Sequence, residues 1–128
     1  MGAKLYQIAA REDAELDMAR LLVLRQSLGD ERCREVVEEV VFHLTDRLGQ
    51  LRAALADADH AVAQTIACRL ASLSEQVGLA DFSRVARDLR TCIVAEDLPA
   101  TGAVGARLMR LGEESLFSVL VYADQSAL

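Results

Sequence analysis

The chain has 128 residues, of which 52% are hydrophobic and 27% are charged, and its formal net charge is −6 without any basic run. This length and composition predict one domain over residues 1–128, and the charge excludes the basic surface that binds nucleic acid or an anionic membrane. Aromatic residues make up only 4% of the chain, so we expect an aliphatic core and helices rather than strands.

Targeting signals and cysteine usage indicate a cytoplasmic protein. No stretch approaches about 18 uncharged apolar residues, and the amino terminus lacks the charged region, apolar core and cleavage site of a signal peptide. Cys33, Cys68 and Cys92 lie far apart, without the spacing of a disulfide or zinc framework. We therefore expect reduced thiols, no metal and no cofactor.

The first two helices follow from the spacing of leucine and valine. A short helix is predicted from about Ala14 to a stop at Gly29, and a long amphipathic helix follows from Asp30 to Ala56, with Asp30 as its cap. Both carry apolar residues at steps of three and four. These residues are Leu16, Leu21, Leu24 and Leu28 in the first helix and Val36, Val37, Val40, Val41, Leu44, Leu48, Leu51 and Leu55 in the second.

A third helix, from Ala61 to Val77, follows the turn Asp57-Ala58-Asp59. The aspartates of this turn can accept hydrogen bonds from the free N–H groups at a helix start. Gly78 fits the left-handed backbone conformation that commonly ends a helix. The stripe of this helix that we expect to be buried consists of Val62, Ile66, Leu70, Leu73 and Val77.

The last two helices complete a predicted bundle. One runs from Asp81, as its cap, to Ala95, ahead of Leu98-Pro99, because the residue before a proline disfavours the helical region. The other runs from Gly102 to Tyr122, with Gly112 as a weak point. Helices of this length with short loops predict an all-α antiparallel up-down four-helix bundle with an extra N-terminal helix.

One face of the third helix carries mostly short side chains and is the candidate interaction surface. A helix advances about 100° per residue, so Cys68 lies about 200° from both Ile66 and Leu70 and should be exposed. A partner's backbone could approach closely here, which makes this a candidate docking face. The neighbours of Cys68 on this face are Gln64, Thr65, Ala71, Ser72 and Glu75.

Four segments of the chain carry a family resemblance. They are Leu16-Asp17, Leu51-Arg52-Ala53-Ala54-Leu55, the turn Ala58-Asp59, and Val77-Gly78-Leu79 at the end of the third helix. Over nearly its whole length the chain resembles histidine-containing phosphotransfer (HPt) domains, whose motif helix carries His, two residues, Lys, Gly and a further Gly. The resemblance implies an HPt-like bundle in a two-component phosphorelay, with a response regulator receiver domain or a histidine kinase as partner.

Carried over position by position, the resemblance places Cys68 at the phospho-accepting histidine, Ala71 at the lysine and Ser72 at the first glycine. Gln76 falls at a polar position and Gly78 at the second glycine. An uncharged imidazole nitrogen is a nucleophile near neutral pH, and the lysine offsets the charge of the phosphate. Cys68 and Ala71 supply neither group. The resemblance therefore implies a degenerate member that binds its partner without carrying phosphate.

Other interpretations of these residues stay open. Cys68 can be a small residue at a helix contact, or a reactive thiol, although Arg69 lies about 100° round the helix from it. His43 and His60 can be ordinary surface histidines or substitute phosphosites. No nucleophilic triad, phosphate loop or dinucleotide motif is visible, so we expect no enzyme. The main alternative is a helical structural, oligomerisation or adaptor module unrelated to phosphorelay.

Overall fold

A computed structural model describes residues 16–126, and this part of the chain is helical and contains no strand. The all-α class expected from the aliphatic composition is confirmed, while the helix start expected near Ala14 lies outside the described residues. No helix in the described range is both long and apolar enough to cross a bilayer. The helices are α1 (Met18–Leu28), α2 (Asp30–Ala56), α3 (His60–Gln76), α4 (Ala80–Val94) and α5 (Leu98–Ser126).

The junction between α1 and α2 is a single glycine. Asp17 caps α1, because its Oδ1 accepts a hydrogen bond from Arg20 N at 3.0 Å. Gly29 ends α1 with a φ of 81°, in the region that favours glycine, and it also occupies the cap position of α2. The predicted capping role of Asp30 is therefore wrong. Asp30 is the first residue of α2, and its Oδ1 pairs with Arg25 Nε at 3.1 Å instead.

The connection that positions α3 follows the prediction, whereas the start of α4 differs from it. Asp59 caps α3 by accepting a hydrogen bond from Val62 N at 3.3 Å, and Gly78 takes the expected left-handed conformation, with a φ of 77°. Helix α4 begins one residue earlier than predicted, so Asp81 lies inside its first turn and is not its cap. The Asp81 side chain is buried and pairs with Arg84 at 2.7 Å.

Helix α5 begins at Leu98, four residues before the predicted start at Gly102. Asp97 makes this possible, because its Oδ1 accepts a hydrogen bond from Ala100 N at 3.1 Å. Pro99 then lies in the first turn, where a backbone N–H has no acceptor within the helix and where the fixed φ of proline suits the helical backbone. The proline therefore belongs to the start of α5 and does not exclude helix here.

The helices pack in the order of the sequence, and α5 also packs against α2. A Cβ at Gly105 would lie 3.0 Å from Leu55 Cδ1, and one at Gly112 would lie 2.9 Å from Leu48 Cδ1 and 3.2 Å from Phe82 Cε2. Gly105, the earlier of the two glycines in α5, thus lies against Leu55, the later of the two leucines in α2. Helices α5 and α2 therefore run in opposite directions. Gly112, predicted to be a weak point, is a position where three helices approach closely.

Helix α1 is held by contacts with two other parts of the bundle. Asp17 N donates a hydrogen bond to Gly78 O at 2.6 Å, which joins the start of α1 to the turn after α3. Leu21 is completely buried. The Arg25 guanidinium lies 5.4 Å from the centroid of the Tyr122 ring near the end of α5, within the range of a cation–π contact. These contacts place α1 where α2 begins and where α3 and α5 end.

Candidate functional site

The predicted docking face lies on the solvent side of α3, except for Ala71. Cys68 is exposed, as predicted. Glu75 is also exposed and pairs with Arg87 of α4 at 2.6 Å, so its carboxylate is already engaged. The members that reach solvent, hereafter the Cys68 face, are Cys68, Thr65, Ser72, Glu75 and the half-buried Gln64.

Ala71 is the exception, because only 4% of this residue is exposed. Its carbonyl oxygen accepts hydrogen bonds from Ser83 Oγ of α4 at 3.0 Å and from Ser74 Oγ at 3.1 Å. Small side chains let α4 pack closely against this side of α3 and cover the alanine. The expected place of Ala71 on the docking face is therefore wrong. The position where the resemblance puts a lysine is closed to solvent and carries no charge.

The predicted core stripe of α3 is confirmed for three of its five residues. Leu73 is only half-buried, and Val62 is 46% exposed, so the expected burial of Val62 is wrong. Val62 lies in the first turn of α3, on the side that faces α2, while Ala63 and Ala67 are completely buried. The three confirmed residues are Ile66, Leu70 and Val77.

An open groove between α2 and α3 shares Thr65, Cys68 and Ser72 with the Cys68 face. It consists of two depressions with volumes of about 480 Å³ and about 280 Å³. Arg47 of α2 and Arg69 of α3 line both depressions, so the two adjoin. We call this surface the α2–α3 groove. Its other lining residues are Gln50, Ala61, Val62, Thr65 and Ile66 in the larger depression and Cys68, Ser72 and Leu73 in the smaller one.

The α2–α3 groove is basic, although the chain as a whole is acidic. Within residues 16–126, the side chains of Arg47 and Arg69 have no ion-pair or hydrogen-bond partner. The described lining contains no carboxylate. The neighbouring Asp46 accepts a hydrogen bond from Gln50 Nε2 at 3.0 Å, and this amide is part of the lining. Two guanidinium groups are therefore available to an anionic group placed in the groove.

Arg47 was not among the predicted site residues, although its position in the sequence carries a signal. Arg47 follows Leu44 by three residues and precedes Leu51 by four, so it lies on the side of α2 that carries the apolar stripe. Both leucines are completely buried, and the arginine is half-buried beside them. A cation within an apolar stripe often marks the edge of a helix interface, where its aliphatic stem packs and its charge reaches solvent.

The three cysteines and the described carboxylates are the groups to compare with the needs of thiol and metal chemistry. All three cysteines are free thiols. Burial raises the pKa of the Cys33 thiol and outweighs the opposite effect of the nearby Arg25 charge, so this thiol stays protonated near neutral pH. Among the described residues, no group of three His, Cys, Asp or Glu side chains could hold a metal ion. Cys68 is exposed, Cys92 is partly exposed and Cys33 is buried, so Cys68 is the thiol most open to a partner.

The two histidines lie in settings different from that of Cys68. The ring of His43 on α2 makes an edge-to-face contact with Phe42, with the centroids 5.8 Å apart. His60, at the start of α3, lines a separate depression of about 280 Å³, together with Glu96 and Thr101. Neither histidine lines the α2–α3 groove. The structure therefore does not bring a substitute imidazole into the groove beside Cys68.

A scan against protein-family models, a search of the curated proteins and a search of the solved structures each find no match for this chain. The Cys68 face and the α2–α3 groove are therefore the features of this chain that bear on its function.

Proposed function

We propose that the protein is a degenerate HPt-like module that docks on a receiver domain or a histidine kinase in the cytoplasm. It uses the Cys68 face for docking and regulates a two-component pathway without carrying phosphate. The observation that carries this proposal is the exposure of Cys68 beside the short side chains of Thr65 and Ser72, at the position where the resemblance puts a phosphorylated histidine. A surface of this kind admits another protein's backbone at close range.

The chemistry of the site supports docking without phosphate transfer. A phosphoryl acceptor of the HPt type is an uncharged imidazole, assisted by a cation that offsets the phosphate charge. Cys68 offers a thiol in place of the imidazole. Ala71 offers no cation, and α4 covers it. Binding by the partner can be retained when transfer is lost, because shape complementarity depends on the whole face and not on one nucleophile.

We also propose that α2, α3, α4 and α5 form the antiparallel up-down bundle that the resemblance implies. Each of the three connections between them has three residues, 57–59, 77–79 and 95–97. Connections this short favour antiparallel neighbours. The opposite directions of α2 and α5, together with their direct packing, support the same topology.

Ser72→Arg tests the docking proposal. Ser72 is exposed, so adding a long side chain there should change stability by only about 0.5 kcal/mol, yet it should block a close approach to the Cys68 face. Ala106→Arg is the matched control, because Ala106 is exposed on α5, which packs against α2 and α4. Affinity for purified receiver domains and kinase domains of the host is measured by calorimetry, beside a thermal melt.

We expect at least one of these domains to bind, Ser72→Arg to weaken binding by about tenfold or more, and Ala106→Arg to leave it unchanged. If the wild type and Ser72→Arg bind with equal affinity, the docking surface does not include the Cys68 face. Absence of binding to every receiver and kinase domain would overturn the phosphorelay proposal as a whole.

The alternative function is a helical oligomerisation module, and two exposed phenylalanines favour it. Phe42 on α2 is 70% exposed and Phe117 on α5 is 69% exposed, and these helices pack against each other. Exposed aromatic side chains are enriched at protein interfaces. Sedimentation equilibrium tests this alternative: a stable dimer that dissociates in Phe42→Ser and Phe117→Ser supports it, and a monomeric wild type excludes it.

A further inference from the structure

The α2–α3 groove contains two arginines that the folded chain leaves without partners. Of the twelve arginines in the described range, four form ion pairs and eight, including Arg47 and Arg69, form none. The chain has a net charge of −6, so carboxylates are plentiful on its surface, yet none lines the groove among the described residues. The paired arginines are Arg25, Arg32, Arg84 and Arg87.

The same groove has an apolar floor that is open to solvent. Val62 is 46% exposed and Ile66 lies beneath the larger depression, while the half-buried Leu73 lines the smaller one. When a partner covers an exposed apolar side chain, its surface is removed from water and the free energy of the complex is lowered. The groove therefore combines an apolar contact surface with two cationic groups at its edges.

We infer that the α2–α3 groove binds an acidic amphipathic helix of a partner protein. One apolar side chain of this helix packs between Val62 and Ile66, and its flanking carboxylates pair with Arg47 and Arg69. The inference rests on the proposed docking at the overlapping Cys68 face and names the chemistry of the partner. Charge complementarity selects this occupant, since a basic segment would face two unpaired guanidinium groups and no carboxylate.

The arginines act mainly on specificity and on the rate of association. Both guanidinium groups border an open depression, so water and salt screen their attraction to a carboxylate. Complementary charges at such a position speed up encounter and disfavour partners of the wrong sign. The apolar contact at Val62 then contributes to the lifetime of the complex. The contribution of the arginines and that of the apolar contact can be separated, because only the contribution of the arginines depends strongly on ionic strength.

Two labelled peptides probe the groove in a fluorescence anisotropy titration of the full chain. The first is a short helical peptide with leucine flanked by glutamates at positions three and four residues away, which share one helix face. The second carries lysine in place of each glutamate. The variants Arg47→Gln and Arg69→Gln remove one charge each. Arg107→Gln and Arg110→Gln, at exposed positions on α5, are the matched controls.

We expect the glutamate peptide to bind at low salt and the lysine peptide to bind at least about tenfold more weakly. Arg47→Gln and Arg69→Gln should each weaken the glutamate peptide several-fold and reduce its salt dependence, and the α5 controls should do neither. Val62→Ser should weaken binding at low and high salt alike. A thermal melt of each variant excludes unfolding as the cause.

Three results would overturn the inference: no binding of the glutamate peptide, equal binding of the lysine peptide, or an equal loss with the α5 controls. A receiver domain that binds the wild type, is blocked by Ser72→Arg and is indifferent to Arg47→Gln would refute the acidic-helix inference and leave the proposed function standing. Self-association of the chain through the groove, detected by sedimentation and abolished by Arg69→Gln, would assign the groove to a second copy and also overturn the inference.

Discussion

Replacing Gly78 by alanine should loosen the attachment of α1 to the bundle. Gly78 has a φ of +77°, which L-residues rarely adopt. A Cβ there would lie 2.9 Å from the backbone oxygen of Asp17 and 2.9 Å from Leu21 Cγ. The first atom is backbone, and the second is the branch point of a completely buried side chain. Neither can yield without moving α1.

The magnitude follows from two separate costs. The left-handed conformation costs a non-glycine residue about 1–2 kcal/mol. Overpacking at a close contact typically costs about 1–3 kcal/mol, and the hydrogen bond from Asp17 N to Gly78 O, 2.6 Å long, should lengthen as α1 moves. Together, Gly78→Ala should lower the free energy of unfolding by about 2–5 kcal/mol, a large part of the about 5–15 kcal/mol of a typical domain.

Urea unfolding followed by circular dichroism measures this loss. Gly49→Ala is the matched control, because Gly49 lies within α2, has no left-handed φ, and a Cβ there would have nothing within 4 Å. Alanine has the higher helix propensity, so Gly49→Ala should stabilise the protein by up to about 1 kcal/mol. Amide hydrogen exchange should also become faster in α1 of Gly78→Ala than in the other helices.

A double mutant separates the steric cost from the backbone cost. Leu21→Ala removes the carbon that a Cβ at Gly78 would meet, so in this background Gly78→Ala should cost about 1 kcal/mol less than in the wild type. A loss below about 0.5 kcal/mol in Gly78→Ala would refute the close contact between α1 and the turn after α3. An identical loss in both backgrounds would refute the part of this contact that Leu21 makes.

Four further outcomes are expected. Incubation with a phosphorylated receiver domain should leave no stable phosphate on the protein, and acid-labile label that is retained by the wild type but lost in His60→Ala would assign a phosphosite to His60. Iodoacetamide should modify exposed Cys68 well before buried Cys33, as read by mass spectrometry. Burial raises the pKa of the Cys33 thiol, so the contribution of this thiol to stability is present below the ordinary thiol pKa and is lost as pH rises through the raised value. Cys33→Ala should therefore reduce the fall in the free energy of unfolding at alkaline pH. Ser83→Ala, which removes the buried hydroxyl donor to the Ala71 carbonyl, should cost about 1 kcal/mol in urea unfolding, and no change in stability would contradict the closeness of α3 and α4.

Local sequence chemistry was sufficient for the helices and for most of their ends. A helix from Asp30 to about Ala56 was predicted from apolar spacing with Asp30 as its cap, and α2 covers Asp30–Ala56 with Gly29 at the cap position. Gly29 and Gly78 have the positive φ expected of residues that end helices. The start of α5 was misjudged because a proline inside the first turn and a proline that stops a helix look alike until the capping aspartate, Asp97, is known to be in place.

The candidate site was predictable only in part. The exposure of Cys68 follows from the angle between residues on one helix, and it is confirmed. The burial of Ala71 does not follow from that angle, because it depends on how closely α4 approaches, and the pair Ser74 and Ser83 makes this approach close. The same limit applies to Val62, whose exposure depends on the width of the space between α2 and α3.

What the sequence determined by itself was therefore the set of helices and the outward direction of Cys68, since periodicity and capping involve residues within a few positions of each other. Tertiary structure alone decided that Arg47 and Arg69, 22 positions apart in the sequence, line one groove without carboxylate partners. The physical reason is that the width and lining of a groove between two helices depend on the packing of both surfaces, and no periodicity within either helix specifies that packing.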